Sequence, residues 1–516
     1  MSVTATAPAP SWRTLGRLPA WWPLAVLVAL AAALRLSTLD LQSFWYDEAY
    51  TPVHVLHASL WTTLRAMVHS ENSPPLWYVI EWVDYRALGS GEFALRLPSA
   101  LAGIATVPVA WAIGRELGGR RAAIVAAALV AVSPLLVWYS QEARAYGLFV
   151  LTASLALLCF LRAERDPSPR RTAAFAAAGV LALLSHYFAV FLLIPMAAWL
   201  LLERRTRRAA WVAVGTFTLA GLALLPLISA QGGHGTQWIG RWPLAQRLEA
   251  IPQYFLTGYS SAPLGHGVEA LVALVLLSGV GLGLWRILGR PSADGAGAEA
   301  EDAQQARPRM RRLLMVLSIA AGGVLIPLAL VAFGADYLAP RNLVGAMVPV
   351  MVLVAALLAW PSTGRAGSAI AAVLALAFLL LSVDVDLSPR LQRGNWRGVA
   401  RVLRVGAPLR AITTVELGGA PLEYYLHRLV SLPRGDAVSV SEIDETGYLP
   451  LRPSAGRPPA PGFRLIRRVD VDGLIVYRFV SPVPRRVSEA ALRRHVITRA
   501  HPEVLVPPGL LVSSGR

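Results

Sequence analysis

The sequence predicts an α-helical polytopic membrane protein with a small α/β domain at its C-terminal end. The 516 residues are 55% hydrophobic and only 15% charged, which leaves too little polar surface for a soluble protein of this size. Long apolar runs continue to about residue 384, and the composition then becomes more polar. We therefore divide the chain into a cytoplasmic tail (1–19), a membrane domain (20–384) and an extracytoplasmic α/β domain with a Pro-rich tail (385–516).

About eleven apolar runs have the length and character of membrane-spanning helices, which need about 20 residues each. They lie near 20–39, 93–115, 122–139, 147–161, two runs that meet at 185–188, 209–229, 267–288, 313–334, 343–360 and a last run that ends near 383. The net charge of +17 comes from arginines, most of them in the short loops between these runs. This distribution follows the positive-inside rule and does not indicate a nucleic-acid partner. It predicts a cytoplasmic N-terminus and an extracytoplasmic C-terminal domain in the cytoplasmic membrane.

The polar region 40–92 is predicted to be the first outer loop. It contains seven acidic residues and only two arginines. Two segments with helical periodicity, 60–69 and 75–88, are too short or too polar to cross the bilayer. Such segments usually lie at the membrane interface, where tryptophans such as Trp61 and Trp77 prefer the headgroup region.

Three patterns predict the α/β domain. Residues 395–405 have the periodicity of an amphipathic helix, and 410–415 have the composition of a strand. Residues 463–469 and 473–480 are typical of a hairpin with its turn at 470–473. No motif in this domain indicates chemistry.

Ionisable residues at membrane depth are costly, so each one marks a candidate functional position. Four junctions on the predicted outer side carry such residues: Asp47 and Glu48; Glu142, Arg144 and Tyr146; His186 and Tyr187; Asp336 and Arg341. One cavity lined by acids and arginines could form where these junctions meet. A carboxylate there could accept the proton of an attacking hydroxyl as a general base. Arginines could hold a phosphate and stabilise the charge that develops on it.

The acidic residues and the histidine also have simpler structural explanations. Asp47 and Glu48 could cap a short loop helix. Glu142 and Arg144 could form a structural pair at a helix end. His186 could be a satisfied polar residue at a helix junction.

The arginines near the predicted outer helix ends have a simpler explanation as well. Arg35 and Arg96 are expected to extend along apolar surface to the interface. Arg341 could do the same, although its neighbours Pro340 and Asn342 break the helix where a lipid headgroup would lie.

Metal and disulfide chemistry have little support in the sequence. Cys159 is the only cysteine and lies in an apolar run, so neither an internal disulfide nor a cysteine-based metal site can form. Asp47 and Glu48 together could hold a divalent cation, but no histidine or further acid lies at ligand spacing. We predict no certain cofactor and leave a divalent cation open.

Four segments resemble membrane glycosyltransferases of the GT-C class, and most closely glycosyltransferase family 39, which holds the protein O-mannosyltransferases and the lipid A aminoarabinose transferase. Phe44–Tyr50 resembles the aspartate–glutamate signature of the first outer loop. Asn72–Tyr78 resembles the Pro-Pro-Leu-Tyr-Tyr segment of bacterial members, and Phe93–Ala100 the start of their second span. Tyr139–Tyr146 matches the Ser-Gln-Glu-Ala-Arg-x-Tyr motif of a bacterial subgroup. The resemblance covers roughly residues 20–360.

The resemblance implies a GT-C-like fold, a polyprenyl-phosphate sugar as donor and transfer with inversion to an extracytoplasmic glycan, lipid or protein. It implies Asp47 as the general base, with Glu48 assisting or orienting the acceptor. Arg341 and Arg144 become candidates for the donor phosphate. The remaining junction residues are assigned to donor or substrate binding with them: Glu142, Tyr146, His186 and Tyr187.

Two departures from the family pattern limit what it implies. The aminoarabinose transferase has a lysine in its interfacial segment that helps to bind phosphate, whereas this chain contains no lysine. The eukaryotic protein mannosyltransferases carry an inserted domain that this chain lacks, so a protein acceptor in particular is not implied.

Two other functional classes remain open. A transporter would suit many spans, but its substrate groups lie near the bilayer midplane in paired repeats. Here the ionisable residues gather at one surface, and no internal repeat is evident. A non-catalytic assembly protein of the cell envelope would leave Asp47 dispensable.

Overall fold

The computed structural model describes residues 19–204, 208–234, 236–258, 263–288, 296–495, 497 and 502–512. Most of the predicted cytoplasmic tail (1–19) therefore lies outside the described residues. Up to residue 387 the described chain is helical. The helices are α1 (Trp22–Leu36), α2 (Tyr46–Tyr50), α3 (Leu60–Ser70), α4 (Leu76–Leu88), α5 (Glu92–Val132), α6 (Pro134–Ser140), α7 (Tyr146–Arg165), α8 (Pro169–Ser185), α9 (Ala189–Arg204), α10 (Arg208–Ala223), α11 (Leu225–Gln231), α12 (Gln237–Arg241), α13 (Leu244–Thr257), α14 (His266–Leu288), α15 (Ala296–Ala332), α16 (Met347–Leu358) and α17 (Gly364–Leu387). A π-helical segment (Thr51–Val55) follows α2, and a 3₁₀ segment (Pro340–Ala346) precedes α16.

Seven helical segments of the described residues are long and apolar enough to cross a membrane, as expected for a multi-pass integral membrane protein. They are Glu92–Val132, Tyr146–Arg165, Arg208–Gln231, His266–Leu288, Arg307–Ala332, Pro340–Leu358 and Pro361–Leu387. Three further predicted runs form α1, α8 and α9, which are shorter, with 15, 17 and 16 residues. The count of eleven spans and the orientation in the membrane stay predictions.

Helix α5 folds back on itself and so contains two of the predicted runs. Gly118 and Gly119 interrupt the helix, and Gly119 has a φ of 74°, a conformation that favours glycine. A Cβ on Gly114 would lie 2.7 Å from the carbonyl oxygen of Ala122. Eight residues of straight helix would separate these two positions by about 12 Å. The glycine pair therefore turns the chain into a hairpin of two helices.

The C-terminal part is a mixed β-sheet domain. Its elements are α18 (Trp396–Arg404), β1 (Arg410–Thr414), α19 (Gly419–Leu426), β2 (Val430–Ser431), β3 (Ala437–Tyr448), β4 (Arg464–Val471), β5 (Leu474–Ser488), α20 (Glu489–Arg494), β6 (Glu503–Val506) and α21 (Gly509–Val512). The strand order is β2-β6-β1-β3-β5-β4, with β1 parallel to β3 and all other pairs antiparallel. The predicted helix at 395–405, the strand at 410–415 and the hairpin at 463–480 are confirmed.

Strand β3 was not predicted from the sequence, because its acidic residues interrupt the run of apolar residues that is typical of a buried strand. All three of them, Glu442, Asp444 and Glu445, are buried. Arg478 of the neighbouring β5 lies 2.7 Å from Asp444 and 3.5 Å from Glu442. His495 lies 2.8 Å from Glu445, and this contact raises the pKa of His495. A cross-strand arginine and a histidine after α20 thus compensate acidic residues whose presence in the sequence is typical of a loop.

The C-terminal domain packs directly on the acidic motif of the first loop. One apolar cluster joins Phe44, Trp45 and Ala49 of the motif to Trp396 of α18 and Leu422 of α19. Hydrogen bonds support this packing: the Tyr425 hydroxyl accepts from the Phe44 N–H at 2.7 Å, and the Ser43 hydroxyl accepts from the Trp396 N–H at 2.9 Å. The position of the motif therefore depends on a domain more than 340 residues further along the chain.

Candidate functional site

Asp47 lies in the first turn of α2 and contacts a distant arginine. Its Oδ2 accepts a hydrogen bond from Nη1 of Arg341 at 2.8 Å. The two side chains are 18% and 23% exposed, so the pair is accessible from outside the fold. Successive residues of a helix point about 100° apart, and Glu48 accordingly points elsewhere. The π-helical segment that follows α2 belongs to a class of helix that is frequent at functional sites.

Arg341 is held in place from two sides. Its guanidinium lies over the ring of Trp238, 4.7 Å from the centroid, in a cation–π contact. The segment before it is fixed by Asp336, which accepts two hydrogen bonds from Arg247 at 2.6 and 2.8 Å. These bonds lower the pKa of Asp336 and keep it charged. The position of Arg341 near Asp47 thus follows from packing and from an ion pair in the adjoining segment.

Glu48 is completely buried in a two-fold ion pair. Both of its oxygens accept hydrogen bonds from Arg96 at 2.7 Å, and one also accepts from the Ala143 N–H at 2.9 Å. Burial by itself would raise the pKa of Glu48, but Arg96, Arg393 and the Ala143 N–H together outweigh it, and the pKa is lowered. Glu48 is therefore an ionised group held inside the protein.

The expectation that Arg96 extends to the interface is wrong. Its side chain is 1% exposed. Besides Glu48 it binds three carbonyl oxygens of the first loop: those of Leu39, Gln42 and Ser43. A buried carboxylate requires a partner of opposite charge, and this requirement overrides the tendency of an arginine to reach water.

The same expectation for Arg35 is also wrong. Arg35 is fully buried and donates to the Ser140 hydroxyl and to the carbonyls of Val130 and Ala131. These carbonyls belong to the last turn of α5, which has no helical partners for them. The next helix begins with Pro134, which has no N–H to offer. Arg35 thus caps a buried helix end.

Glu142 and Arg144 do not pair with each other, so that structural alternative is wrong. Arg144 binds both oxygens of Glu71, at 3.1 and 3.0 Å, and also donates to the carbonyl oxygen of Asp47 at 3.3 Å. Glu142 instead receives Nη2 of Arg393 at 3.1 Å. Sequence reasoning missed Glu71 and Arg393, because neither lies in a motif and both reach the site only through the fold.

His186 and Tyr146 lie in an aromatic group within electrostatic reach of Arg341 and Arg144. Tyr146 contacts Tyr139 at 4.7 Å and His186 at 5.8 Å between ring centroids, and His186 stacks on Phe149. Nδ1 of His186 accepts the N–H of Phe188, which leaves the ring proton on Nε2. Burial, with the positive charges of Arg341 and Arg144, lowers the pKa of His186 to about 3. His186 is therefore neutral at ordinary pH.

The hydroxyl of Tyr187 does not bind to any member of this aromatic group. The hydroxyl donates to Oε1 of Gln231 at 2.7 Å, and the Gln231 amide donates to the carbonyl of Ser73 at 3.1 Å. Tyr187 thus helps to hold α11 against the segment that precedes α4.

Several buried polar atoms around Asp47 and Glu142 have no hydrogen-bond partner among the described residues. They are the Tyr139 hydroxyl, Oε1 of Glu142, and Nε of Arg341 and of Arg393. Nearly all buried polar atoms are hydrogen-bonded in native proteins, and each exception costs roughly 1–3 kcal/mol. A group of such exceptions, with both donors and an acceptor, is suited to a polar ligand.

A metal centre has no comparable arrangement in the part of the chain that the structure describes. No three histidine, cysteine, aspartate or glutamate side chains come together there as ligands. Asp47 and Glu48, which were left open as a cation site, are bound by two different arginines.

Comparison with known proteins adds a match of one segment to a family and a likeness in fold. Residues 72–231 match the family model described as dolichyl-phosphate-mannose-protein mannosyltransferase. Two crystal structures of ArnT from Cupriavidus metallidurans, one bound to undecaprenyl phosphate and one in the apo state, superpose with a TM-score of 0.53 at 14% identity. Each match covers 89% of this chain, and 98% or 97% of the ArnT chain. The chain has the GT-C fold.

This finding confirms the predicted resemblance to GT-C membrane proteins of the mannosyltransferase family. The family match includes Glu142, Arg144 and His186 but neither Asp47 nor Arg341. The oligosaccharyltransferase of Archaeoglobus fulgidus is a more distant neighbour, with a TM-score of 0.42, 16% identity, and coverage of 78% of this chain and 57% of the other. A sequence comparison with curated proteins gives no match.

Proposed function

We propose that the protein is a membrane glycosyltransferase that moves a sugar from a polyprenyl-phosphate donor to an acceptor outside the cytoplasmic membrane. The contact between Asp47 and Arg341 carries this proposal. It joins a carboxylate and a guanidinium that are 294 residues apart in sequence, and both remain partly accessible. The likeness to ArnT, a protein solved with undecaprenyl phosphate, supports a lipid phosphate as the donor's carrier.

Asp47 acts in this proposal as the general base. Its carboxylate takes the proton of the acceptor hydroxyl, and the acceptor oxygen attacks the anomeric carbon of the sugar. The bond from that carbon to the phosphate oxygen breaks, and its electron pair stays on the departing polyprenyl phosphate. Attack opposite to the leaving group inverts the anomeric configuration.

Arg341 stabilises the departing phosphate. Only Nη1 is engaged with Asp47 in the structure, and Nε has no partner among the described residues. The same guanidinium can therefore donate to a phosphate while it remains beside Asp47. Charge-assisted bonds of this kind strengthen as negative charge accumulates on the phosphate in the transition state.

The other candidate residues position these two groups or line the site. Glu48 is sealed in its pair with Arg96, so we assign it to fixing the motif and not to contact with the acceptor. Arg144 binds the backbone of Asp47 and orients it. Glu142, Tyr146 and His186 lie within electrostatic reach of Arg341 and contribute to substrate binding.

The experiment uses purified protein in liposomes that contain undecaprenyl phosphate linked to mannose, glucose or aminoarabinose, with an envelope extract as acceptor. Release of undecaprenyl phosphate reports transfer. Asp47→Asn should abolish release and still bind undecaprenyl phosphate, whereas Asp40→Asn, an exposed acid of the same loop, should behave like wild type. Near-normal turnover in Asp47→Asn would refute the base assignment, whereas no release by the wild type from any donor would favour a non-catalytic envelope protein.

Loss of the gene tests the same proposal in the cell. Mass spectrometry of envelope glycans should show one sugar modification missing in a deletion strain. The wild-type gene should restore it, and the gene for Asp47→Asn should not.

A further inference from the structure

Arg393 lies in the short linker between the last membrane helix and the C-terminal domain, after α17 and before α18. Its side chain is only 2% exposed, although its neighbour Arg390 is exposed. Its guanidinium donates to Oε2 of Glu142 at 3.1 Å, the carbonyl of Trp138 at 3.2 Å, Oε1 of Gln42 at 3.4 Å and the carbonyl of Gln141 at 3.5 Å. It also lies over the ring of Trp138, 4.0 Å from the centroid. An arginine with this many partners is fixed in one conformation.

We propose that Arg393 is a positioning residue of the candidate site, which acts through Glu142 and makes the site depend on the docked C-terminal domain. The inference rests on the proposed function, since it concerns the same reaction. Neither Asp47 nor Arg341 is a hydrogen-bond partner of Arg393. It acts on them through Glu142, which lies within electrostatic reach of both. The second oxygen of Glu142 has no partner among the described residues and remains available to a ligand.

The linker connects two parts of the site at once. Gln42, which accepts from the side chain and from the backbone N–H of Arg393, lies five residues before Asp47. Ser43 donates to the carbonyl of the adjacent Gly394 at 3.0 Å. The start of the C-terminal domain is therefore bonded both to the segment that carries Asp47 and to the segment that carries Glu142.

The charge of Glu142 depends on this contact. Burial raises the pKa of Glu142, and Arg393 is the strongest influence in the opposite direction. The groups that face Glu142 from the other elements are Glu48, Asp47, Arg341, Tyr139 and Tyr146. Among these only Arg341 is a cation, and it is shared with Asp47. Without Arg393, Glu142 would hold its proton to a higher pH.

The test measures the pH profile of kcat/KM for transfer in the liposome assay. Arg393→Gln should lower kcat/KM at neutral pH by about 10- to 100-fold, as for the loss of a hydrogen bond between charged groups. Its acid limb should move to higher pH, and binding of undecaprenyl phosphate should stay near wild type. Arg393→Lys should restore part of the rate, and the exposed control Arg390→Gln should match wild type throughout.

A double-variant cycle separates positioning from general damage. Glu142→Gln should cost about as much as Arg393→Gln, and the pair Arg393→Gln/Glu142→Gln should be no worse than Glu142→Gln alone, because Arg393 acts through Glu142. This double variant also removes the unpaired buried charge that could unfold the single one. The inference would be overturned if the losses of kcat/KM in the two single variants multiplied in the double variant. It would also be overturned if the acid limb of Arg393→Gln stayed at the wild-type pH. The proposed function itself would fail on a different result, namely no release of undecaprenyl phosphate by the wild-type protein from any of the three donors.

Discussion

The two ends of the helical bundle carry ion pairs of different kinds. We call the end that holds α2 and the start of α7 the motif end, and the end that holds the last turn of α7 the far end. Among the described residues, five ion pairs of the motif end have arginines that are at most 23% exposed: Arg96 with Glu48, Arg393 with Glu142, Arg144 with Glu71, Arg341 with Asp47 and Arg247 with Asp336. The far end gathers arginines that are 34% to 48% exposed around two acids: Arg162 and Arg165 at Glu116, Arg204 and Arg311 at Glu164.

This difference indicates which end serves function. Pairs with a well-exposed arginine, such as Arg165 with Glu116 at the far end, are worth about 0–1 kcal/mol and are common on any basic surface. Buried pairs must overcome the loss of hydration of both ions, and apolar residues would often be more stable in their place. A chain that keeps fully buried pairs such as Arg96 with Glu48 and Arg393 with Glu142 at one end, beside polar atoms that lack partners among the described residues, therefore has a reason other than stability.

The largest effect on activity is expected at Asp47. Asp47→Asn should reduce turnover by roughly 100- to 10,000-fold, the usual contribution of a general base. The free energy of unfolding should change by less than about 1 kcal/mol, because the pair with Arg341 is partly exposed. Transfer rate and thermal unfolding in detergent measure the two quantities. A large loss of stability would show that the pair of Asp47 and Arg341 mainly stabilises the fold.

The largest effect on stability is expected at Arg96. Arg96→Gln leaves Glu48 buried without a counter-charge and should cost about 3–5 kcal/mol of unfolding free energy. The double variant Arg96→Gln/Glu48→Gln should recover much of this loss, as measured by thermal unfolding. If the double variant is as unstable as the single one, the bonds of Arg96 to the loop carbonyls matter more than its charge.

A smaller effect is expected at Arg341. Arg341→Ala should raise the KM for the lipid-phosphate donor by about 10- to 100-fold, since it removes charge-assisted hydrogen bonds to phosphate. Turnover at saturating donor should fall less. Steady-state kinetics with varied donor decide this, with Arg390→Gln as a control of equal charge change. A loss confined to kcat would contradict phosphate binding.

The effect at His186 is expected to appear only in acid. Its pKa is about 3 in the folded protein against 6.5 for a free histidine, so the unfolded chain binds the extra proton first. His186 therefore costs stability as pH falls from about 6.5 toward 3. His186→Gln should weaken this acid destabilisation, and His266→Gln, at an exposed histidine, should not. An activity limb near pH 6 that disappears in His186→Gln would contradict a neutral His186.

The smallest effect is expected at the far end. Glu116→Gln should change the unfolding free energy by no more than about 1 kcal/mol and leave transfer unchanged. Thermal unfolding and the liposome assay check both statements. A strong loss of transfer would mean that the two ends are coupled along α5 and α7.

Much of the fold could be predicted because it follows from local patterns. The apolar runs predicted the helices, and the alternation of apolar and polar residues predicted the hairpin of β4 and β5. The breaks between the apolar runs predicted the junctions that hold Asp47, Glu142 and Arg341. The hairpin within α5 required only the neighbouring glycines Gly118 and Gly119. Each of these features is set by residues within one or two turns of each other.

The sequence by itself determined a helical membrane protein, a terminal sheet domain and the residues that could carry charge at helix junctions, because hydropathy and periodicity are short-range properties. Only the tertiary structure decided the partners. Glu142 meets Arg393 across 251 residues instead of Arg144 two residues away, and Asp47 meets Arg341 across 294. The chain has 48 arginines, so the sequence does not specify which of them pairs with a given carboxylate. Packing brings one arginine into the same buried space and so determines the pair.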